Sequence, residues 1–208
     1  MPEIRSISQL LTDLKADMTG ERVRVSMILE ALHERGFGVV MFFFALPIAL
    51  PFPVPPGIQM IFATPLLVLA AQMVIGRDMI WMPQGIQSRT LSRKVLNKTI
   101  DLSVPWLRKI EYLVKPRLGF MTRGFASNIV GFLGIIMALS IYVPIPLTNT
   151  VPGMGMCAMS IGLVMRDGLT VAVGAIVGTG WVIMLVLAVW FLGAEAVDVV
   201  KDVIKGFF

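Results

Sequence analysis

The most apolar reach of the chain is broken in its middle by prolines. Pro51, Pro53, Pro55 and Pro56 crowd into "LPFPVPPG" (Leu50–Gly57), just after Pro47. Almost wholly apolar segments, Gly36–Leu50 and Ile58–Ile75, flank them. Proline lacks the backbone N–H and its ring collides with the preceding turn, so no helix runs through such a cluster. The stretch must therefore be two helices joined by a turn that is itself apolar. Broken backbone survives in hydrocarbon only where protein buries it or where it lines a cavity. The turn then lies either outside a membrane or at the tip of a re-entrant hairpin. The short flanking segments favour the second geometry.

A membrane setting follows from composition. The 208 residues are 56% hydrophobic and only 15% charged, with a mean hydropathy of +0.82. Soluble domains carry about a quarter charged residues. Further apolar segments run Phe125–Val143, Leu147–Met165 and Leu169–Leu192. About 20 residues are needed to cross the hydrocarbon, which only the last exceeds with ease. Residues 1–20 carry Glu3, Arg5, Asp13, Lys15 and Asp17 and no apolar core, so they do not read as a signal peptide.

The broken hairpin recurs. "RGFG" (Arg35–Gly38) returns as "RGFA" (Arg123–Ala126), and Pro51–Pro53 as Pro144–Pro146. Arg77-Asp78 is echoed by Arg166-Asp167, in the same order. The expected fold is an all-α integral membrane protein with two pseudo-symmetric, Pro-broken hairpins, residues 35–78 and 123–167. Amphipathic helices (1–34, split at Thr19-Gly20) precede them, and a basic linker (79–122) joins them. A transmembrane helix (168–192) and a tail (193–208) close the chain, all within one membrane domain.

Charge orients this arrangement. Residues 77–123 carry Arg77, Arg89, Arg93, Lys94, Lys98, Arg108, Lys109, Lys115, Arg117 and Arg123 against Asp78, Asp101 and Glu111. Such an excess marks the cytoplasmic face of a membrane protein, which also places the N-terminus there. Within the linker, "TLSRKVLNKTIDL" and "SVPWLRKIEYLVKPR", the latter capped by Ser103, each read as an interfacial amphipathic helix facing anionic lipid. Nucleic acid is not an expected partner of a membrane-embedded body.

Chemistry-bearing residues are few. His33 and Cys157 are single, so a disulfide, a thiolate metal cluster or a histidine-rich metal site is not expected, nor is any cofactor. No nucleophile–base–acid set stands out, and an enzyme is not expected. Helix starts follow both proline turns. Gln59 lies in the first, and Thr148 and Asn149 precede the second. Helix N-termini carry partial positive charge and free N–H groups that suit an anion, so Gln59, Thr148 and Asn149 are candidate contacts; capping alone also explains them. Arg77 and Arg166 follow helix ends, where a cation is stabilised and can pair with Asp78 or Asp167; they are equally candidates for a phosphate. Gly174 and Gly178 make a small-xxx-small pair that permits close packing, within one chain or in a homodimer.

"LHERGFG", "LPFPVPPG", Gln72, "GR" (Gly76–Arg77), "WMP" (Trp81–Pro83), "PW" (Pro105–Trp106), "KPR" (Lys115–Arg117), "PIPLTN" (Pro144–Asn149) and "RDG" (Arg166–Gly168) together resemble the ExoD family of exopolysaccharide-synthesis membrane proteins. The resemblance spans roughly residues 20–190. It implies a bacterial inner-membrane protein serving exopolysaccharide production, and no particular molecular activity. Three functions fit the residues. The first is a transporter or flippase for a phosphate-bearing lipid, such as a polyprenyl phosphate, or another anion. The second is an ion or proton transporter, disfavoured because no carboxylate lies inside an apolar segment. The third is a scaffold that holds polysaccharide enzymes.

Overall fold

A computed structural model describes residues 7–17, 22–32, 35–50, 57–77, 79–114, 117–143 and 148–192. The proline turns with Pro51, Pro53, Pro144 and Pro146, together with Asp78, His33 and the tail, lie outside the described residues.

The elements run α1 (Ile7–Asp17), β1 (Arg22–Arg24), α2 (Val25–Leu32), α3 (Gly36–Ala49), α4 (Ile58–Val74), α5 (Gln84–Gln87), β2 (Thr90–Ser92), α6 (Arg93–Leu113), α7 (Phe125–Tyr142), α8 (Thr150–Met165) and α9 (Gly168–Leu192). The chain is mostly helical, as its composition requires. It is not all-α, because β1 pairs antiparallel with β2, with Val23 opposite Leu91. Residues 22–24 were expected to begin a helix. The alternation of Arg22, Val23 and Arg24 buries Val23 between two exposed arginines, a strand pattern too short to stand out in sequence. The basic linker was also expected to hold two helices. Where those two were expected, one helix runs instead, α6, which continues through Pro105. Pro105 is exposed, so the Asp101 carbonyl it leaves unpaired can face solvent.

Helices α3, α4, α7, α8 and α9 pack around one apolar core that includes Met41, Leu66, Met137, Met156 and Met159. α3 packs against α8 and α4 against α7, so the first helix of each hairpin lies on the second helix of the other. Both contacts turn on a glycine. A Cβ at Gly38 would stand 2.8 Å from the Ser160 carbonyl oxygen and 2.6 Å from Val164 Cγ2. A Cβ at Gly131 would stand 2.8 Å from both the Ala70 oxygen and the Val74 nitrogen. α8 is the central helix, since it also carries α9 on Gly155 through Gly174 and Gly178. The small-xxx-small pair is thus consumed inside the chain rather than left for a second copy.

α7 and α9 are long and apolar enough to cross a membrane; α3, α4 and α8 are apolar but shorter. The outer faces carry exposed Phe43, Ile61, Phe132, Ile176, Val186 and Phe191. Exposed apolar side chains of this kind suit association with a membrane.

α1, α2, α6 and the two strands form a cap. Val23 and Ile100 are buried there against Leu11, Ile28, Leu96 and Val104. Of the apolar positions read on this linker, Leu96 is thus used inside the cap. Leu11 and Val114 also pack onto Val164 and Met165, which seats the cap on the C-terminal end of α8.

Close packing at Gly131 sets a clear expectation. Gly131→Ala should lower stability by about 1–3 kcal/mol, because the added methyl meets backbone that cannot move aside. Gly180→Ala, which meets nothing within 4 Å, should be neutral or stabilising by up to about 1 kcal/mol. Thermal unfolding of the two variants in detergent checks the contrast, and equal effects would contradict the packing.

Candidate functional site

Four arginines converge on one cavity. Its volume is about 240 Å³, and Arg35, Arg77, Arg123 and Arg166 all line it. Phe37, Met73 and Leu163 give it an apolar wall, and Thr122, Ser127 and Asn128 add polar groups.

Each arginine is placed by a helix end. Arg35 is the residue before α3, and Arg123 precedes Gly124, the N-cap of α7. Gly124 has φ +56°, a conformation glycine adopts without strain. Arg77 and Arg166 follow the C-termini of α4 and α8. There the chain turns by the same pair of hydrogen bonds. Arg77 N donates to Gln72 O at 3.1 Å and Gly76 N to Met73 O at 2.9 Å. Asp167 N donates to Gly162 O at 2.8 Å and Arg166 N to Leu163 O at 3.4 Å. This closure needs a left-handed residue just past the helix. It is Gly76 at φ +77° in the first case and Arg166 at φ +55° in the second. The cap geometry therefore matches Arg166 with Gly76, one residue out of step with the sequence pairing of Arg166 with Arg77.

Two further contacts hold the site together. Gln72, buried in α4, brackets the backbone of Trp81, with its Nε2 donating to Trp81 O at 3.1 Å and its Oε1 accepting from Trp81 N at 2.6 Å. This folds the loop back so that Ile80 lies over Gly36, beside Arg35. Gly168 N donates to Arg117 O at 2.7 Å, and a Cβ at Gly168 would collide with the Leu118 carbonyl. That contact lays residues 117–121 across the α8–α9 junction and brings Arg123 toward Arg166.

Helix dipoles of both signs meet at the cavity. Arg77 and Arg166 sit where helix C-terminal dipoles favour a cation. Arg35 and Arg123 sit at helix N-termini, where the dipole already favours an anion and a cation adds to the positive field. Arg35 is only 7% exposed. Asp167 is buried, and its carboxylate accepts from Leu169 N at 3.2 Å and from the Thr170 hydroxyl. It is the N-cap of α9, a role for which its pairing with Arg166 in the sequence had given no hint. Among the described residues no acidic group lines the cavity, and no cluster of His, Cys, Asp and Glu could hold a metal ion.

The residues singled out at the proline turns are elsewhere. Gln59 opens α4, and Arg77 lies beyond its other end, about 25 Å away along a helix of this length. Gln59 and Asn149 do meet: Asn149 Nδ2 is 2.5 Å from Gln59 Oε1, 3.2 Å from Ile141 O and 3.4 Å from Val143 O. Asn149 is the N-cap residue of α8, but its side chain makes no capping bond. It serves the last carbonyls of α7 instead. The Thr148 carbonyl accepts from Trp181 Nε1 at 3.0 Å, which ties this end to α9. Arg35 and Arg123 went unmarked as site residues, although the repeated Arg-Gly-Phe had already paired them.

Gln59 and Asn149 should couple as a structural latch. Asn149→Ala leaves buried carbonyls unserved and should cost about 1–3 kcal/mol. A double-mutant cycle with Gln59→Ala should show a coupling of at least about 0.5 kcal/mol; strict additivity in thermal unfolding would contradict the contact.

A family model described as "Exopolysaccharide synthesis, ExoD" matches residues 7–187. A protein of Synechocystis sp. described as uncharacterized is 32% identical over 207 residues, covering 96% of each chain. The protein named ExoD of Rhizobium meliloti is 29% identical over 175 residues, covering 82% of this chain and 72% of its own. No solved structure matches. The extent of the family match, and the fall of the repeated Arg-Gly-Phe and helix-end arginines within it, lead to one conclusion: the chain belongs to the ExoD family of exopolysaccharide-synthesis proteins.

Proposed function

We propose that the chain is a multi-pass inner-membrane protein that binds a phosphate-bearing anion in its four-arginine cavity and passes it across the membrane in support of exopolysaccharide synthesis. The convergence of Arg35, Arg77, Arg123 and Arg166 on one cavity carries this reading. Guanidinium groups bind phosphate through paired, charge-assisted hydrogen bonds. Two helix N-termini add unpaired N–H groups and positive potential in the same place. On this reading the arginine end faces the cytoplasm, in keeping with the basic residues around it.

Transport is supported by the exchange of partners between the two hairpins. α3 on α8 and α4 on α7 are equivalent contacts if residues 35–78 and 123–167 are pseudo-symmetric repeats. A bundle of that kind has a second arrangement available by rocking one repeat against the other, as transporters do. The cavity is at one end, and the Gln59–Asn149 latch joins the hairpins at the other. Breaking the latch while the arginine end closes would move the anion. The helices of the hairpins, 14 to 18 residues long, reach about 21–27 Å, short of the full hydrocarbon for α3, which suits re-entrant hairpins.

Arg166 offers a sharp test. Its left-handed backbone costs about 1–2 kcal/mol that glycine would not incur, and strain of this sort gathers at functional sites. Arg166→Gly should keep the fold, yet weaken phosphate binding by tenfold or more, since a charge-assisted pair contributes about 1.5–3 kcal/mol. Thermal unfolding and phosphate binding of the purified variant give both numbers. A variant that binds phosphate as well as the wild type would leave a scaffold of the polysaccharide machinery as the better reading.

A further inference from the structure

We infer that the anion in the arginine cavity is the headgroup of a lipid, which enters sideways from the bilayer with its chain lying along α4 and α7. This rests on the cavity being a phosphate site, and it names the class of molecule that carries the phosphate. The arginines are graded: Arg77 and Arg123 are exposed at the rim, whereas Arg166 is half-buried and Arg35 is buried. Each rim arginine stands within two residues of an exposed apolar side chain on an adjacent helix. Ile75 just precedes Gly76-Arg77 and is 75% exposed; Phe125 just follows Arg123-Gly124 and is 79% exposed.

These two side chains begin continuous stripes. On α4 the exposed residues Ile75, Val68 and Ile61 fall at seven-residue spacing, on one face. On α7 Phe125, Ile129 and Phe132 do the same at spacings of four and three. α4 and α7 are packed together through Gly131, so both stripes descend from the mouth on neighbouring helices. A soluble phosphate has no use for an apolar approach and would be served by a polar funnel. A lipid phosphate needs what is present: guanidinium groups at the mouth, helix N-termini within, and a row of exposed apolar side chains leading away along each helix.

The test compares three ligands on the full chain in detergent: short-chain phosphatidic acid, phosphatidylcholine of the same chain length, and inorganic phosphate. Phosphatidic acid should bind at least about tenfold more tightly than either of the others. The double variant Ile75→Ser, Phe125→Ser should lose about tenfold in phosphatidic acid affinity while inorganic phosphate binding is unchanged; both positions are exposed, and thermal unfolding checks that the fold is kept. The double variant Arg77→Gln, Arg123→Gln should weaken phosphatidic acid and inorganic phosphate alike. Equal binding of phosphatidic acid and inorganic phosphate, with no effect of Ile75→Ser, Phe125→Ser, overturns lateral lipid entry and leaves the phosphate site standing. Failure of both anions to bind wild type better than phosphatidylcholine overturns the phosphate site itself, and this inference with it.

Discussion

Backbone meets backbone at Gly38 and Gly131, and the position of the arginines depends on both meetings. Each glycine admits one turn of a partner helix, residues 160–164 against Gly38 and residues 70–74 against Gly131, at distances where any Cβ would collide. Without an aqueous driving force between apolar helices, such close van der Waals contact is the main source of association in a bilayer. The turns involved are the last ones of α8 and α4. Seating them fixes where the chain leaves each helix, and hence where Arg166 and Arg77 stand. The same contacts place the N-terminal ends of α3 and α7 alongside, with Arg35 and Arg123.

Four like charges are thus brought together by packing that has nothing to do with charge. Helix C-termini offset part of the cost for two of them, and helix N-termini add to it for the other two. The left-handed Arg166, where the equivalent turn at Gly76 uses glycine, is a second local cost at the same place.

The four apolar helices were legible because proline and hydropathy act locally: Pro51, Pro53, Pro144 and Pro146 divide apolar tracts whose lengths then give α3, α4, α7 and α8 within a few residues. Arg77 and Arg166 were also legible, as cations after helix ends. Arg35 and Arg123 were visible only as a repeated motif, since nothing in sequence says that the starts of two helices lie beside the ends of two others. That is a property of the glycine contacts, which join Gly38 to residues 160–164 and Gly131 to residues 70–74, far apart along the chain. The β1–β2 pairing was hidden for the opposite reason: three residues per strand are too few for a period to emerge. Asn149 has the composition of a cap, and its side chain takes a stronger offer from the unserved carbonyls of Ile141 and Val143 and from Gln59.

The central claim is that the arginine cavity, and not the helix starts near the proline turns, receives the anion. An experimental structure of the protein with a short-chain phosphatidic acid bound tests it most directly. Headgroup density within hydrogen-bonding distance of Arg35, Arg77, Arg123 and Arg166 is the predicted result. Density between Gln59 and Asn149 with an empty arginine cavity would contradict it.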